Sequence, residues 1–159
     1  MMHRLTVWID MLPPTQNHAY ANKPLVKVRG KMVGGGRRLT EEGKNFKMEA
    51  TDSIAKAIAS LPDGGKSIVP NKPYLVSFTF VFLPLELFNK GYPKKTKNRY
   101  KRVDTLNRGK LLEDALADAL GFDDSHNFKV DLEKRPGDAH ATVIDIYEME
   151  DEWTELGFE

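Results

Sequence analysis

The window from Lys101 to Leu116, closed by Gly121 to Ser125, concentrates the side chains that phosphodiester chemistry uses. At about 100° per residue, Asp104, Asn107, Lys110, Asp114 and Asp118 project from the side of a helix away from Leu112 and Leu116, or along its edge. Asp123 and Asp124 follow after a turn at Gly121 and lead into a strand, so they can return beside the first helical turn if that strand pairs with its neighbour. Hydrolysing a phosphodiester near neutral pH requires a cation to offset phosphate charge and activate water, and Mg²⁺ prefers hard oxygen ligands. Carboxylates from two elements, with a lysine as point charge on the phosphate or the transition state, supply those parts. The same acids also fit a solvated helix face, and Asp123-Asp124 before Ser125 also fits turn chemistry.

Directly before Asp104, the chain places Lys90, Lys94, Lys95, Lys97, Arg99, Lys101 and Arg102 among Tyr92 and Tyr100. Such runs are commonly solvated loops. Beside candidate carboxylates, this one fits a surface that draws a nucleic-acid backbone inward, with a tyrosine to stack on an unpaired base. Lys27, Arg29, Lys31, Arg37 and Arg38 form a second basic patch, read as a clamp or a flexible loop. His3, His18, His126 and His140 lack zinc-like spacing, although His18 could line the site from its proline loop.

The elements that must position these residues follow from periodicity. Arg4 to Ile9 alternates as a strand and ends at Pro13-Pro14. Pro24 to Gly36 fits either a short ribbon or a mobile loop. Thr40 before Glu41 and Glu42 caps a helix whose apolar face is Phe46, Ala50, Ile54, Ala57, Ile58 and Leu61, running to about Ser60. Tyr74 to Leu83 reads as a central buried strand, and Trp8 and the Phe78, Phe80, Phe82 series read as core. A second helix spans about Asp104 to Leu120 and stops at Gly121. Asn127 to Lys134 and His140 to Tyr147, joined through Pro136-Gly137-Asp138, read as a hairpin. The order strand, helix, strand, helix, strand, strand predicts a single α+β domain with a mixed sheet and two main helices. Its expected limits are 1–148, with an acidic tail over 149–159.

Length and composition bound the classes. A chain of 159 residues buries roughly 70% of its unfolded surface as one domain. With no cysteine, disulfides, thiolate zinc sites and thiol nucleophiles are excluded, and a reducing, cytoplasmic setting is expected. The start of the chain carries no long apolar run, and Pro84 and Glu86 interrupt the most apolar stretch, so no signal peptide or membrane partner is expected. The net charge of +1 conceals segregation between the Lys90 to Arg102 run and the acids from Glu148 to Glu159.

Three motifs, in order, resemble the RusA family of Holliday junction resolvases. Leu12-Pro13-Pro14-Thr15-Gln16-Asn17-His18-Ala19-Tyr20 is similar to that family's Pro-Pro-Ser-x-Asn-x-x-Tyr loop. Asp104, Asn107 and Lys110, followed by Asp114-Ala115-Leu116, are similar to its Asp-x-Asp-Asn-x-x-Lys helix and the Asp-Ala-Leu after it. Asp123-Asp124 stands before the last strands. With the strand pattern between them, these motifs span most of the chain.

The resemblance implies a RusA-like fold and a homodimer that binds four-way DNA junctions and cuts them symmetrically with Mg²⁺, with Mn²⁺ as a substitute. It also implies phage or prophage origin. Carried over residue by residue, Asp104 and Asp124 would bind metal with Asp123 as neighbour, Lys110 would be the essential lysine and Asn107 a positioning residue. Asn17 and Tyr20 would join the basic loop in holding DNA. The family's second aspartate is Leu106 here, so Asp123, Asp114 or water would complete the metal shell, or the enzyme would be slow or inactive, leaving a DNA-binding accessory protein.

Overall fold

In a computed structural model, which describes residues 1–149, the run beginning at Tyr74 takes the interior of a four-stranded sheet. Strands β1 (Met2–Ile9), β6 (Tyr74–Phe82), β7 (Asn127–Pro136) and β8 (Ala141–Glu148) lie in the order β1-β8-β6-β7. β8 is antiparallel to both neighbours, pairing Ile144 with Val7 and with Phe78, while β7 runs parallel to β6 with Leu132 beside Phe78. The sheet is mixed and the domain α+β, as the element order predicts.

The expected hairpin is a correction. β7 and β8 flank β6 on opposite sides and do not pair with each other. Six of the nine residues of β6 are buried, so this strand gains most from a neighbour on each side. The link between β7 and β8 crosses its end, where Gly137 N–H donates to the Phe82 carbonyl at 2.8 Å.

Helices α2 (Glu41–Ala59) and α4 (Leu106–Leu120) cover one face of the sheet. Phe46, Ala50 and Ile54 of α2 and Leu111, Leu112, Ala115 and Leu116 of α4 join Leu5, Val7, Phe78, Phe80 and Ile144 in one core. Among the described residues no helix packs over the opposite face. Trp8, expected in the core, is therefore 59% exposed, because the alternate residues Leu5, Val7 and Ile9 take the covered side.

Helix α2 starts where expected. Thr40 Oγ1 accepts the Gly43 N–H at 3.1 Å and donates to the His18 carbonyl at 2.6 Å. Gly43 lies against the backbone of Ala19, where a Cβ would overlap the carbonyl oxygen. The cap thus fastens α2 to the one-turn helix α1 (Gln16–Ala19) in the proline loop. Thr40→Ala is expected to cost about 1–2 kcal/mol in a denaturant titration.

Between α1 and α2 the chain forms two ribbons, β2 (Tyr20–Asn22) with β5 (Arg37–Leu39) and β3 (Leu25–Val28) with β4 (Lys31–Gly34). The ambiguous segment is therefore a ribbon, turning at Arg29 and Gly30 with φ of 49° and 77°. A short helix α3 (Pro84–Leu87) opens the basic loop, and a 3-10 turn (Asp124–His126) precedes β7.

The fold reaches Met149, which is 6% exposed and donates its N–H to the Pro73 carbonyl at 2.9 Å. The remainder of the expected acidic tail lies outside the described residues. Among the described residues no helix is long and apolar enough to cross a membrane.

Candidate functional site

Helix α4 begins at Leu106, two residues later than predicted, and Asp104 stands outside it, one residue before the N-cap Thr105. Its Oδ1 accepts the Leu106 N–H and its Oδ2 accepts Asn107 Nδ2–H, both at 2.9 Å. The negative charge thereby sits at the positive end of the helix dipole. Each carboxylate oxygen keeps a second lone pair.

One turn further along, Lys110 gathers the other acids. Its Nζ donates to Asp114 Oδ1 at 3.0 Å and lies 3.8 Å from Asp124 Oδ2. Gly121, at φ 78°, ends α4 in the left-handed region and turns the chain so that Asp124 comes back along the helix. It returns beside the second and third turns, not the first turn where Asp104 sits. The hydrogen bond to Asp114 is the main cause of a raised Lys110 pKa, so the ammonium stays charged at neutral pH.

Tyr20 joins this cluster from β2, donating its hydroxyl to Asp114 Oδ2 at 3.1 Å, with the Arg37 guanidinium 5.6 Å from the ring centre. Burial, and then the charge of Asp114, raise the Tyr20 pKa, so the phenol remains a donor. Glu113 faces the same space. Burial raises its carboxyl pKa first, and the charge of Asp124 raises it further.

The remaining predicted residues divide. Asp123 does not point to Lys110: its Oδ1 accepts the Ser125 N–H at 2.7 Å, and that hydrogen bond is the main cause of its lowered pKa. Its role is turn chemistry. Asp118 pairs with Lys47 at 3.0 Å on the α2 side. Asn17 and His18 are exposed on α1, and no contact joins either side chain to the Lys110 cluster.

The basic loop has an ordered base. Asn89 N–H donates to the Arg99 carbonyl at 2.9 Å and Lys101 N–H to the Leu87 carbonyl at 2.8 Å, with Phe88 and Tyr100 in ring contact at 5.7 Å. Lys90, Lys94, Lys95, Lys97, Arg99, Lys101 and Arg102 are all exposed. Tyr92 is 45% and Tyr100 60% exposed. The loop thus projects cations and two aromatic rings next to the entry of α4.

Two further residues, not among those expected from the sequence, shape the site. Arg108 sits half-buried on α4, donating Nη1–H to the Pro13 carbonyl at 2.6 Å with its guanidinium 5.3 Å from the Phe82 ring centre. It pins the proline loop, and hence Tyr20, to α4. Its position three and four residues before Leu111 and Leu112 was the available signal, since that places a cation on the buried stripe. The other is Glu113, three residues after Lys110.

The oxygen-only donor set suits a hard divalent cation, and such a cation would relieve the repulsion between Glu113 and Asp124. Among the described residues no three His, Asp or Glu side chains already converge as a metal shell. Leu106 is 73% exposed and lines a shallow cleft of about 290 Å³ with Phe78, Gly109, Lys110, Glu113, Val130 and Leu132. An apolar side chain therefore occupies the mouth of the site where the resembling family carries a carboxylate. Comparison with protein-family models and with curated proteins returns no match for the chain.

Proposed function

We propose that the chain is a RusA-type endodeoxyribonuclease that cuts four-way DNA junctions with Mg²⁺. The observation that carries the reading is the meeting of Asp124 with Lys110, from two separate elements, on the helix that the basic loop feeds. Asp124 would hold the cation, with Glu113 or Asp114 near enough to share it, and Asp104, at the entry of α4, would have to swing toward Asp124 to complete the shell. The metal, when bound, lowers the pKa of a water and offsets charge on the phosphate. Lys110 supplies a fixed positive charge toward the phosphate, and Asp114 with Tyr20 sets the direction of its ammonium. Asn107 holds the Asp104 carboxylate.

The basic loop would supply phosphate contacts, each releasing counterions. The triple variant Lys94→Ala, Lys95→Ala, Lys97→Ala is expected to flatten the slope of log K against log salt by about two to three units and to weaken binding to all DNA alike. Fold stability should barely change, because exposed charges contribute little. An unchanged slope would transfer the DNA surface to the ribbon carrying Lys27, Arg29 and Lys31.

A second reading has its own observation: exposed Leu106 stands where the resembling family has an aspartate, and among the described residues no three acids or histidines converge as a metal shell. On that reading the chain is a DNA-binding accessory protein without cutting activity. Incubating the protein with a labelled junction, with and without Mg²⁺, separates the two. Metal-dependent nicks favour the nuclease; retarded but intact junction favours the accessory protein.

A further inference from the structure

The β3–β4 ribbon projects into solvent. Every residue from Asn22 to Gly34 is exposed, and none of them belongs to the core. Leu25, Val26, Val28, Met32 and Val33 are large apolar side chains within that stretch. An isolated two-stranded ribbon is only marginally stable in water, and apolar side chains exposed on both of its faces gain from being covered.

Charge narrows what can cover them. From Met11 to Thr40 the chain has no Asp or Glu, whereas Lys23, Lys27, Arg29, Lys31, Arg37 and Arg38 all carry positive charge. The whole chain is balanced, with 24 basic and 23 acidic residues, so the exclusion of acids is local. A projection of one sign attracts a polyanion. Its base leads to the Lys110 cluster. Tyr20 of β2 donates to Asp114, the partner of Lys110, and Arg37 of β5 lies over the Tyr20 ring. Cationic projections therefore adjoin the cluster at both ends, the basic loop through Asp104 and the ribbon through Asp114.

Resting on the reading of the chain as a protein that binds and cuts DNA, we infer that the β3–β4 ribbon inserts into the major groove of a duplex arm beside the Lys110 cluster. That groove is about 12 Å wide and admits two paired strands. Each strand has four residues, which spans about 13 Å, or about four base pairs. The turn at Arg29 and Gly30, both with positive φ, keeps the tip narrow.

Register decides which side chains meet the bases. Val26 pairs with Val33 and Val28 with Lys31, while Leu25 pairs with Gly34 and Lys27 with Met32. Paired residues share a face and successive residues alternate, so Val26, Val28 and Val33 stand together. This valine face lies on the groove floor, where thymine methyl groups are apolar partners. Lys27, Arg29 and Lys31 reach the phosphates at the groove walls.

The test is binding to linear duplex in chelator, where metal-dependent cutting does not intervene. In the variant Lys27→Ala, Arg29→Asn, Lys31→Ala, the slope of log K against log salt should flatten by about two to three units. Asn suits position 29 because φ there is 49°. Melting should match the unmodified chain, since these side chains lie outside the core. Guanine N7 opens to the major groove, so the unmodified chain should shield it from methylation by dimethyl sulfate over about four base pairs, and the variant should not. Val26→Thr with Val28→Thr keeps strand-forming side chains and every charge, and should weaken binding several-fold at the original slope. An unchanged slope in the charge variant would overturn the inference and give the ribbon to another partner, an acidic protein or an anionic lipid surface. N7 equally reactive with both proteins, equally shielded by both, or full affinity in the valine variant would also overturn it, since the groove floor would then be untouched by the ribbon. These results leave the cutting reading standing. N7 shielding by a ribbon whose chain never nicks a junction would keep the ribbon and remove the nuclease.

Discussion

Asp104→Asn and Asp124→Asn are each expected to lower Mg²⁺-dependent cutting of a four-way junction by about a thousandfold, the scale on which loss of a charge-stabilising group acts. Junction affinity should stay equal or rise, because one negative charge facing phosphate is gone. The two substitutions differ in what they leave behind. Asn at 104 still offers an oxygen to the Leu106 N–H but loses the acceptor for Asn107 Nδ2–H and the charge at the helix N-terminus, so stability should fall by about 1 kcal/mol. Asp124 has no capping bond from its side chain to lose; its partner is the Lys110 ammonium. A thousandfold loss of cutting beside so small a change in stability would therefore be a metal effect. Undiminished cutting by both variants would exclude these carboxylates as ligands.

Phe78→Ala is expected to destabilise the fold by about 3–5 kcal/mol. The side chain is fully buried on β6, paired with Ile144 on one side and Leu132 on the other, and it floors the cleft beside Lys110 and Glu113. Removing the ring leaves a cavity under α4 that the rigid sheet cannot close. Cutting and binding should fall together with the folded fraction, unlike the carboxylate variants, which should separate them. Denaturant titration with an unchanged m-value and a lowered midpoint is the readout; a shift below about 1 kcal/mol would mean that α4 does not pack there.

Features set by local chemistry were legible in the sequence. Thr40 with two acids after it caps α2, Gly121 ends α4 in the left-handed region, and the apolar density from Tyr74 marks the interior strand. Each depends on residues within a few positions of one another. The pairing of β7 and β8 was not legible, because the competition for a place beside β6 involves strands from distant parts of the chain. Trp8 failed for a related reason: alternation assigns it a face of the sheet, but only the tertiary arrangement decides which face the helices cover.

The site divides in the same way. That Lys110 and Asp114 share a helix edge follows from their spacing, and they are hydrogen-bonded. That Asp114 also receives the Tyr20 hydroxyl depends on residues 94 positions apart, brought together by Arg108 on the Pro13 carbonyl. Asp104 was legible as a carboxylate at the start of a helix, yet its bonds to the Leu106 N–H and the Asn107 side chain account for its position by local chemistry alone. Its role as a ligand therefore rests on the resemblance, and the Asn variant is the means of separating the two.

The most direct measurement is a denaturing gel of a synthetic four-way junction, with each strand labelled in turn, after incubation with the protein in Mg²⁺ or in chelator. Nicks are expected at symmetry-related positions in two opposing strands, present with Mg²⁺, absent with chelator, and absent from linear duplex of the same sequence. Intact strands under every metal condition, from protein that retards the junction on a native gel, would contradict the nuclease reading.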